Sequence, residues 1–191
     1  MSVTTTALPQ GLTAGTWVID PSHSSVEFTI RHLMVSKVRG RFGTFSGAIT
    51  VAEDPAASSV EVNIDPGSVD TRESGRDEHL RSSDFFHVEA HPTWTFKSSH
   101  VESNGDAWRV HGHLTMKGVT RPVNFVVEYN GTQAHPMGGT RAGFSAELEI
   151  NRKDWDINFN AALEGGGLML GDKVKINLEV EAALQDPAVQ A

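Results

Sequence analysis

The sequence predicts an all-β protein, folded as a closed up-and-down barrel of antiparallel strands with one short helix. Apolar and polar residues alternate over most of the 191 residues, which is typical of strands that are buried on one face. Eight or nine such segments follow one another through short connections, and glycines at positions 40, 43 and 47 allow strands to bend. A sandwich also satisfies the alternation, but long, bent strands joined in sequence favour the barrel.

The strands of the first half are assigned from their apolar faces. A short strand at residues 17–19 precedes a second at residues 25–32. Predicted strands at residues 41–53 and 59–64 follow, each with apolar residues at every second position. The inward face of this half includes four residues of later interest: Phe28, Ile30, His32 and Phe45.

The second half repeats the pattern, from a strand predicted at residues 93–99 to a last strand that ends near residue 182. Asn130-Gly131 interrupts one of these segments and is predicted to be a turn, because Asn-Gly tolerates the positive φ angles of tight turns. The inward positions include five large residues: Phe96, Leu114, Phe125, Phe144 and Ile176.

Residues 69–96 depart from the alternation. Ser74 as N-cap, with Asp77 three residues later, predicts a two-turn helix over residues 75–82. A helix this short is unstable alone, so we expect Phe85 and Phe86 to anchor it. We also expect ion pairs among four charged residues to hold it: Asp70, Arg72, Arg76 and Asp77.

Composition excludes several functions. The net charge of −8 argues against nucleic-acid binding, and the lack of cysteine excludes disulfides and thiolate chemistry. No apolar run is long enough to span a bilayer, so stable membrane insertion is not expected. The densest basic stretch holds Arg or Lys at positions 31, 37, 39 and 41, which is either a solvated strand end or a site for a lipid phosphate or carboxylate.

No motif indicates catalysis or a resident cofactor. Residues 143–147 lack the last glycine of a serine-nucleophile elbow, and the glycine-rich residues 165–173 match no nucleotide-binding fingerprint. His111 and His113 share one strand face, but a third metal ligand is not evident. We therefore predict no catalytic residue, no metal site and no cofactor.

The chain is divided into a flexible N-terminal arm at residues 1–14, a barrel at residues 15–185 and a frayed tail at residues 186–191. The N-terminal residues lack the basic and apolar regions of a secretory signal. We therefore expect a cytoplasmic protein.

The inward residues define the candidate site, although alternation alone does not decide what they enclose. Large rings beside Gly47, Gly112 and Ala142 can interdigitate as a filled core or leave an elongated apolar cavity. In the second case the ligand-binding residues are the inward positions together with the two helix anchors: Phe28, Ile30, His32, Phe45, Phe85, Phe86, Phe96, Leu114, Phe125, Phe144 and Ile176.

The irregular segment also carries a resemblance. Residues 70–72, 76–82, 84–86 and 92–96 are similar to the central signature of the bacterial YceI-like family. Residues 17–20, 23–24, 112–123 and 150–155 resemble further family motifs, with Lys153 where the family has serine.

The resemblance implies an eight-stranded antiparallel lipocalin-like barrel with a lipid tail threaded through it. It also implies that the ligand is a polyisoprenoid chain or an isoprenoid quinone, and it raises a homodimer as an expectation. Our interpretation is a non-enzymatic protein for isoprenoid transport or storage. The alternatives are an enzyme that modifies such a lipid and a filled-core scaffold that binds a partner.

Overall fold

A computed structural model describes residues 7–104 and 106–187. Within these ranges it contains eleven strands, one α-helix and three short 3₁₀ helices at Pro55–Ala57, Pro66–Ser68 and Arg152–Trp155. The remaining elements, in chain order, are β1 (Gly15–Ile19), β2 (Ser25–His32), β3 (Ser36–Phe42), β4 (Phe45–Val51), β5 (Ser59–Ile64), β6 (Val69–Asp70), α1 (Ser74–Arg81), β7 (Trp94–Asn104), β8 (Ala107–Met116), β9 (Val119–Ala134), β10 (Thr140–Asn151) and β11 (Leu170–Leu184).

All strand pairings are antiparallel, and the sheet closes where β1 pairs with β11. β1 and β2 both pair with β11, β1 near its end and β2 along its first part, so together they act as one interrupted strand. β3 with β4, and β5 with β6, form two more interrupted strands beside it. The result is a closed eight-stranded barrel with a single helix, which confirms the predicted fold class.

The strand predicted at residues 41–53 is divided in the structure at Gly43 and Thr44. The 3₁₀ helix at Pro66–Ser68 inserts there, because the Gly43 and Thr44 amides donate to the Ser68 carbonyl and hydroxyl oxygens, at 3.2 and 3.0 Å. Ladder bonding is thus replaced by bonds to a neighbouring turn, and the barrel wall bends at this point.

Asn130-Gly131 is not a turn, so this prediction was wrong. β9 continues through both residues to Ala134. Gly131 pairs with Gly143 and Tyr129 with Phe144, which leaves Asn130 as the extra residue of a β-bulge. Gly131 has the positive φ of 113° that the prediction assumed, but the chain uses it to bend a strand and not to reverse direction.

The predicted helix is confirmed within one residue at each end, but its cap was assigned wrongly. Glu73 is the N-cap, and its carboxylate accepts from the amides of Gly75 and Arg76 at 3.0 and 2.6 Å. Asp77 is buried and accepts from the amide and hydroxyl of Thr71, at 2.8 and 2.6 Å. Its carboxylate therefore fixes the chain that enters α1.

The predicted ion pairs among the charged residues around α1 are also replaced by other contacts. Asp70 pairs with Arg41 on β3, at 3.2 Å. Arg76 donates to the hydroxyl and carbonyl oxygens of Thr71, at 2.7 and 2.8 Å. Arg76 is therefore held by the hydroxyl and backbone oxygens of the segment before the helix, and not by a carboxylate.

The two ends of the barrel differ. We call the end with α1, the β2–β3 turn and residues 152–169 the helix end, and the opposite end, with Leu12 and Trp17, the arm end. Of the predicted arm, the structure describes residues 7–14; Leu12 is buried there, and the Trp17 indole donates to the Thr13 carbonyl oxygen at 3.0 Å. Residues 1–6, and residues 188–191 of the predicted tail, lie outside the described ranges.

We predict that Gly112→Ala destabilises the barrel by about 1–3 kcal/mol through overpacking. A Cβ at Gly112 would lie 2.6 Å from the Lys97 carbonyl oxygen and 2.5 Å from the Phe96 ring. Gly165→Ala is the matched control, because nothing lies within 4 Å of a Cβ at that position. Urea unfolding of both variants measures the difference in stability. Equal unfolding midpoints would contradict the prediction that a methyl group at position 112 overpacks the barrel wall.

Candidate functional site

The barrel encloses an elongated cavity of about 560 Å³. Its lining is almost entirely apolar and extends from Leu12 at the arm end to His79 at the helix end. This volume lies within the range of pockets that enclose small organic ligands. The interior is therefore not a filled core, which decides between the two arrangements that the sequence left open.

All eleven residues predicted from the alternation and the helix anchors line this cavity. They come from seven different strands and from the segment after α1. The lining of the cavity thus includes every predicted residue: Phe28, Ile30, His32, Phe45, Phe85, Phe86, Phe96, Leu114, Phe125, Phe144 and Ile176. That these residues bind a ligand remains a prediction.

Glycines in the wall explain why the large rings leave space. A Cβ at Gly40 would lie 2.3 Å from the Phe28 ring, and one at Gly112 would lie 2.5 Å from the Phe96 ring. These rings therefore lie directly over glycine backbone in the adjacent strand. Because they cover the wall instead of crossing the barrel, the lumen stays open.

The cavity reaches the surface at the helix end, where its lining includes the exposed residues Gly75, Arg76 and His79. We call this opening the mouth. The His79 ring is in contact with Phe85 and Phe159, with ring centroids 5.0 and 4.9 Å apart, and its Nε2 lies 2.8 Å from the Asp84 carboxylate. His32 is half-buried and also lines the cavity at this end.

A buried arginine near the mouth was missed by the sequence analysis. The Arg152 guanidinium donates to the carbonyl oxygens of Gly171, Ile157 and Phe159, at 2.7–2.9 Å. Burial lowers the pKa of Arg152, and nearby Asp172 raises it in part; arginine nonetheless stays charged in proteins. Its position directly after a strand, in the motif at residues 150–155, was the signal available in the sequence.

Trp94 carries an unused hydrogen-bond donor beside the cavity. The residue is 4% exposed, lines the cavity, and packs against Phe42 and Phe86 with centroids 5.3 and 4.7 Å apart. Its Nε1 has no hydrogen-bond partner within the described ranges. Buried indole N–H groups usually have one, so a ligand atom that accepts a hydrogen bond would be stabilised here.

A cluster of charged and polar residues around His23 lies outside the cavity, towards the arm end. His23 Nδ1 lies 3.0 Å from the Asp20 carboxylate and 3.8 Å from that of Glu181, which is itself 3.7 Å from Arg141. Hydrogen bonds from Ser22 and His23 lower the pKa of Asp20, and the contact with Asp20 raises the pKa of His23. These groups form a surface ion-pair network that ties the β1–β2 connection to β11.

We predict that Arg152→Met destabilises the protein by more than about 3 kcal/mol, because three carbonyl oxygens lose a charged donor. Lys153→Met is the control: Lys153 is partly exposed and makes one ion pair with Asp172 at 3.1 Å, so its loss should cost less than about 1 kcal/mol. Chemical unfolding followed by tryptophan fluorescence compares them. Similar losses in the two variants would contradict the role assigned to Arg152.

Within the described residues, no helix has the length and hydrophobicity needed to cross a membrane.

Comparison with known proteins agrees with this architecture. The UPF0312 protein SA2479 of Staphylococcus aureus is 40% identical over 172 residues, which cover 89% of this chain and 98% of that protein.

Solved structures share the fold. BcnA of Burkholderia cenocepacia superposes with a TM-score of 0.75 at 22% identity, over 85% of this chain and 98% of BcnA. The YCEI protein of Campylobacter jejuni gives a TM-score of 0.68 at 29% identity, over 82% and 91%. A polyisoprenoid binding domain from Saccharophagus degradans gives 0.63 at 15% identity, over 91% and 100%. The family model of the YceI-like domain matches residues 17–182, and the chain therefore belongs to the YceI-like family.

Proposed function

We propose that the barrel binds a long-chain isoprenoid-type lipid, either a polyprenyl chain or an isoprenoid quinone, and carries or sequesters it without chemical change. The observation that supports this most is the apolar cavity that runs between the arm end and the mouth. A domain of similar fold, from Saccharophagus degradans, is described as polyisoprenoid binding. An apolar chain would exchange contact with water for contact with the aromatic wall.

Affinity in such a site does not need strong polar contacts. Drug-sized ligands gain about 0.3 kcal/mol per heavy atom, so about 30 buried carbon atoms would contribute about 9 kcal/mol, a dissociation constant below about 1 μM. The lining supplies the required surface, and its few polar groups lie mainly near the mouth. We expect the chain to lie along the barrel axis.

The unused donor of Trp94 supports a ligand that carries an oxygen acceptor. Trp94 begins β7 and lies at the helix end, beside Phe86. A quinone carbonyl oxygen would accept from Nε1, and the prenyl chain would then extend towards the arm end. This geometry favours an isoprenoid quinone over a plain hydrocarbon.

The two alternatives differ in what they require. A filled-core scaffold is not supported, because the interior contains the cavity. An enzyme acting on the lipid would require turnover that depends on His32, His79 or an acidic residue at the mouth. Incubation with the quinone and analysis of the recovered lipid separates the enzyme from the carrier. The cytoplasmic location remains a prediction from the sequence, and the homodimer remains an expectation that the family resemblance raised.

We predict that Phe125→Asp weakens binding of a polyprenyl quinone more than about 100-fold, because a carboxylate in an apolar cavity is strongly disfavoured. Quenching of tryptophan fluorescence reports binding, since Trp94 and Trp108 line the cavity.

Val126→Asp is the matched control for Phe125→Asp. Val126 is the next residue on β9 and, by strand alternation, faces the other side of the sheet. The Val126→Asp protein should bind the quinone with nearly unchanged affinity. A folded Phe125→Asp protein, verified by circular dichroism, that binds as tightly as the parent protein would show that the cavity is not the lipid site.

We further predict that Trp94→Phe weakens quinone binding about threefold to tenfold, the effect of one net hydrogen bond. Binding of squalene, an isoprenoid hydrocarbon without oxygen, should change less, because phenylalanine keeps an aromatic ring at this position and squalene has no oxygen that could accept from the lost donor. Direct calorimetric titrations of both ligands provide the comparison. Equal losses for quinone and squalene would mean that Trp94 acts only through packing.

A further inference from the structure

We infer that the helix end is a docking surface for a bilayer that contains anionic lipids, at which a lipid ligand enters or leaves the cavity. The inference rests on the proposed function for its purpose. Exposed apolar residues and unpaired positive charges beside the mouth support the contact itself.

Exposed apolar side chains are concentrated at the helix end. Within residues 7–104 and 106–187, five large apolar side chains are exposed. One of them, Met137, lies in the β9–β10 turn at the arm end. The other four lie at the helix end: Leu33 at 39%, Met34 at 64%, Val35 at 84% and Leu168 at 44% exposure. Concentrated exposed apolar surface of this kind is typical of protein or membrane contact sites.

The β2–β3 turn holds three of these residues, Leu33, Met34 and Val35, in a defined conformation. Leu33 and Met34 have positive φ angles of 52° and 58°. The Leu33 amide donates to the Met169 carbonyl oxygen at 2.7 Å, and the Val35 amide to that of His32 at 3.2 Å. We call these three residues the apolar tip. The backbone bond to Met169, a cavity-lining residue, places the tip beside the mouth.

Three basic residues lie on β2 and β3 next to the apolar tip. Arg31 faces Lys37 across the β2–β3 ladder, and Arg39 faces Thr29 one step further along. All three cations are exposed. Like charges opposite each other destabilise a hairpin, so this arrangement requires either a compensating anion or a functional reason.

None of these three cations makes an ion pair in the part of the chain that the structure describes. The next basic residue, Arg41, is paired with Asp70, and on the adjacent strand Lys173 and Lys175 are paired with Glu149 and Glu147. Arg31, Lys37 and Arg39 therefore differ from these neighbouring basic residues, which are ion-paired.

Some acidic residues at the same end are engaged within the protein. Glu73 caps α1, Asp84 contacts His79, and Asp172 pairs with Lys153. Four others are exposed and keep negative charge at this end, away from the three cations on β2 and β3: Glu78, Asp154, Asp156 and Glu164. Because the net charge of the protein is −8, an anionic surface repels most of the molecule, and the local cations would orient the helix end towards it.

Apolar insertion and charge act together in this geometry. Side chains that enter the interface bury apolar area, while Lys and Arg beside them bind anionic head groups. Because the tip adjoins the mouth, docking would place the opening against the lipid, so the ligand could move between bilayer and cavity without crossing water.

The test is co-sedimentation of the full chain with sucrose-loaded vesicles of phosphatidylcholine, alone or mixed equally with phosphatidylglycerol. We expect binding to the mixed vesicles. The charge variant Arg31→Gln/Lys37→Gln/Arg39→Gln should weaken it by about tenfold or more, given the contribution of each cation near an anionic surface. The tip variant Met34→Ser/Val35→Ser should also weaken it by about tenfold.

Matched controls separate docking from general charge or exposure effects. Lys97→Gln/Lys173→Gln/Lys175→Gln removes the same charge from ion-paired positions on the barrel wall, and Met137→Ser removes an exposed methionine from the arm end. Both should bind the mixed vesicles much like the parent protein. Equal loss in the control and tested variants, or equal binding to neutral vesicles, would overturn the inference.

The outcome is distinguishable from failure of the proposed function. Quinone binding in vesicle-free solution reports the cavity, and we expect the charge and tip variants to retain it. Absence of vesicle binding by the parent protein overturns the docking surface whether or not the quinone binds. Self-association that the tip variant abolishes, without vesicle binding, would assign the tip to a second copy of the chain and would likewise overturn the inference.

Discussion

Closure of the sheet between β1 and β11 is the constraint on which the rest of the structure depends. Trp17 lies at this seam, fully buried, opposite Leu184 on one side and Ile49 on the other. A closed sheet leaves no open edge, so every strand can be long and carry an inward apolar face. The closure therefore creates the interior, and the smaller core cluster around Trp17 fills that interior at the arm end. At the opposite end the cavity opens beside α1, where Gly75, Arg76 and His79 line it.

Side chains could have filled a barrel of this size, but the glycines in its wall leave the interior open. The rings of Phe28 and Phe96 lie over Gly40 and Gly112 in neighbouring strands, so much of the aromatic surface forms the wall. A cavity retained in this way lacks the dispersion contacts of a filled core, and so contributes less to stability. Arg152 offsets part of this near the mouth, because it binds the carbonyl oxygens of Ile157 and Phe159 and that of Gly171 at the start of β11. Structure and proposed function thus share one requirement, an apolar lumen held open by its wall.

The period-2 alternation, together with the length and bending of the strands, predicted the barrel. The alternation also predicted which nine strand residues of the candidate site face inward, because side-chain direction in a strand depends on parity alone. Local motifs were less decisive. Asn130-Gly131 has the same φ preference in a turn and in a bulge, and only pairing with β10 distinguishes them. Glu73 was overlooked as a cap because Ser74, the preferred residue type, stands beside it. The motif at residues 150–155 marked the position of Arg152, but its three carbonyl acceptors meet only in the folded chain. The unused donor of Trp94 likewise depends on rings that pack only after folding.

The central claim is that the cavity holds an isoprenoid-type lipid, and the most direct measurement is analysis of what the purified protein contains. Organic extraction followed by mass spectrometry, against a mock purification from the same host, would detect a bound lipid. We expect an isoprenoid or isoprenoid quinone close to one molecule per chain, enriched over the mock sample and depleted in the Phe125→Asp protein. A stoichiometric ligand of another chemical class, or an empty protein that also fails to take up a polyprenyl quinone in solution, would contradict it.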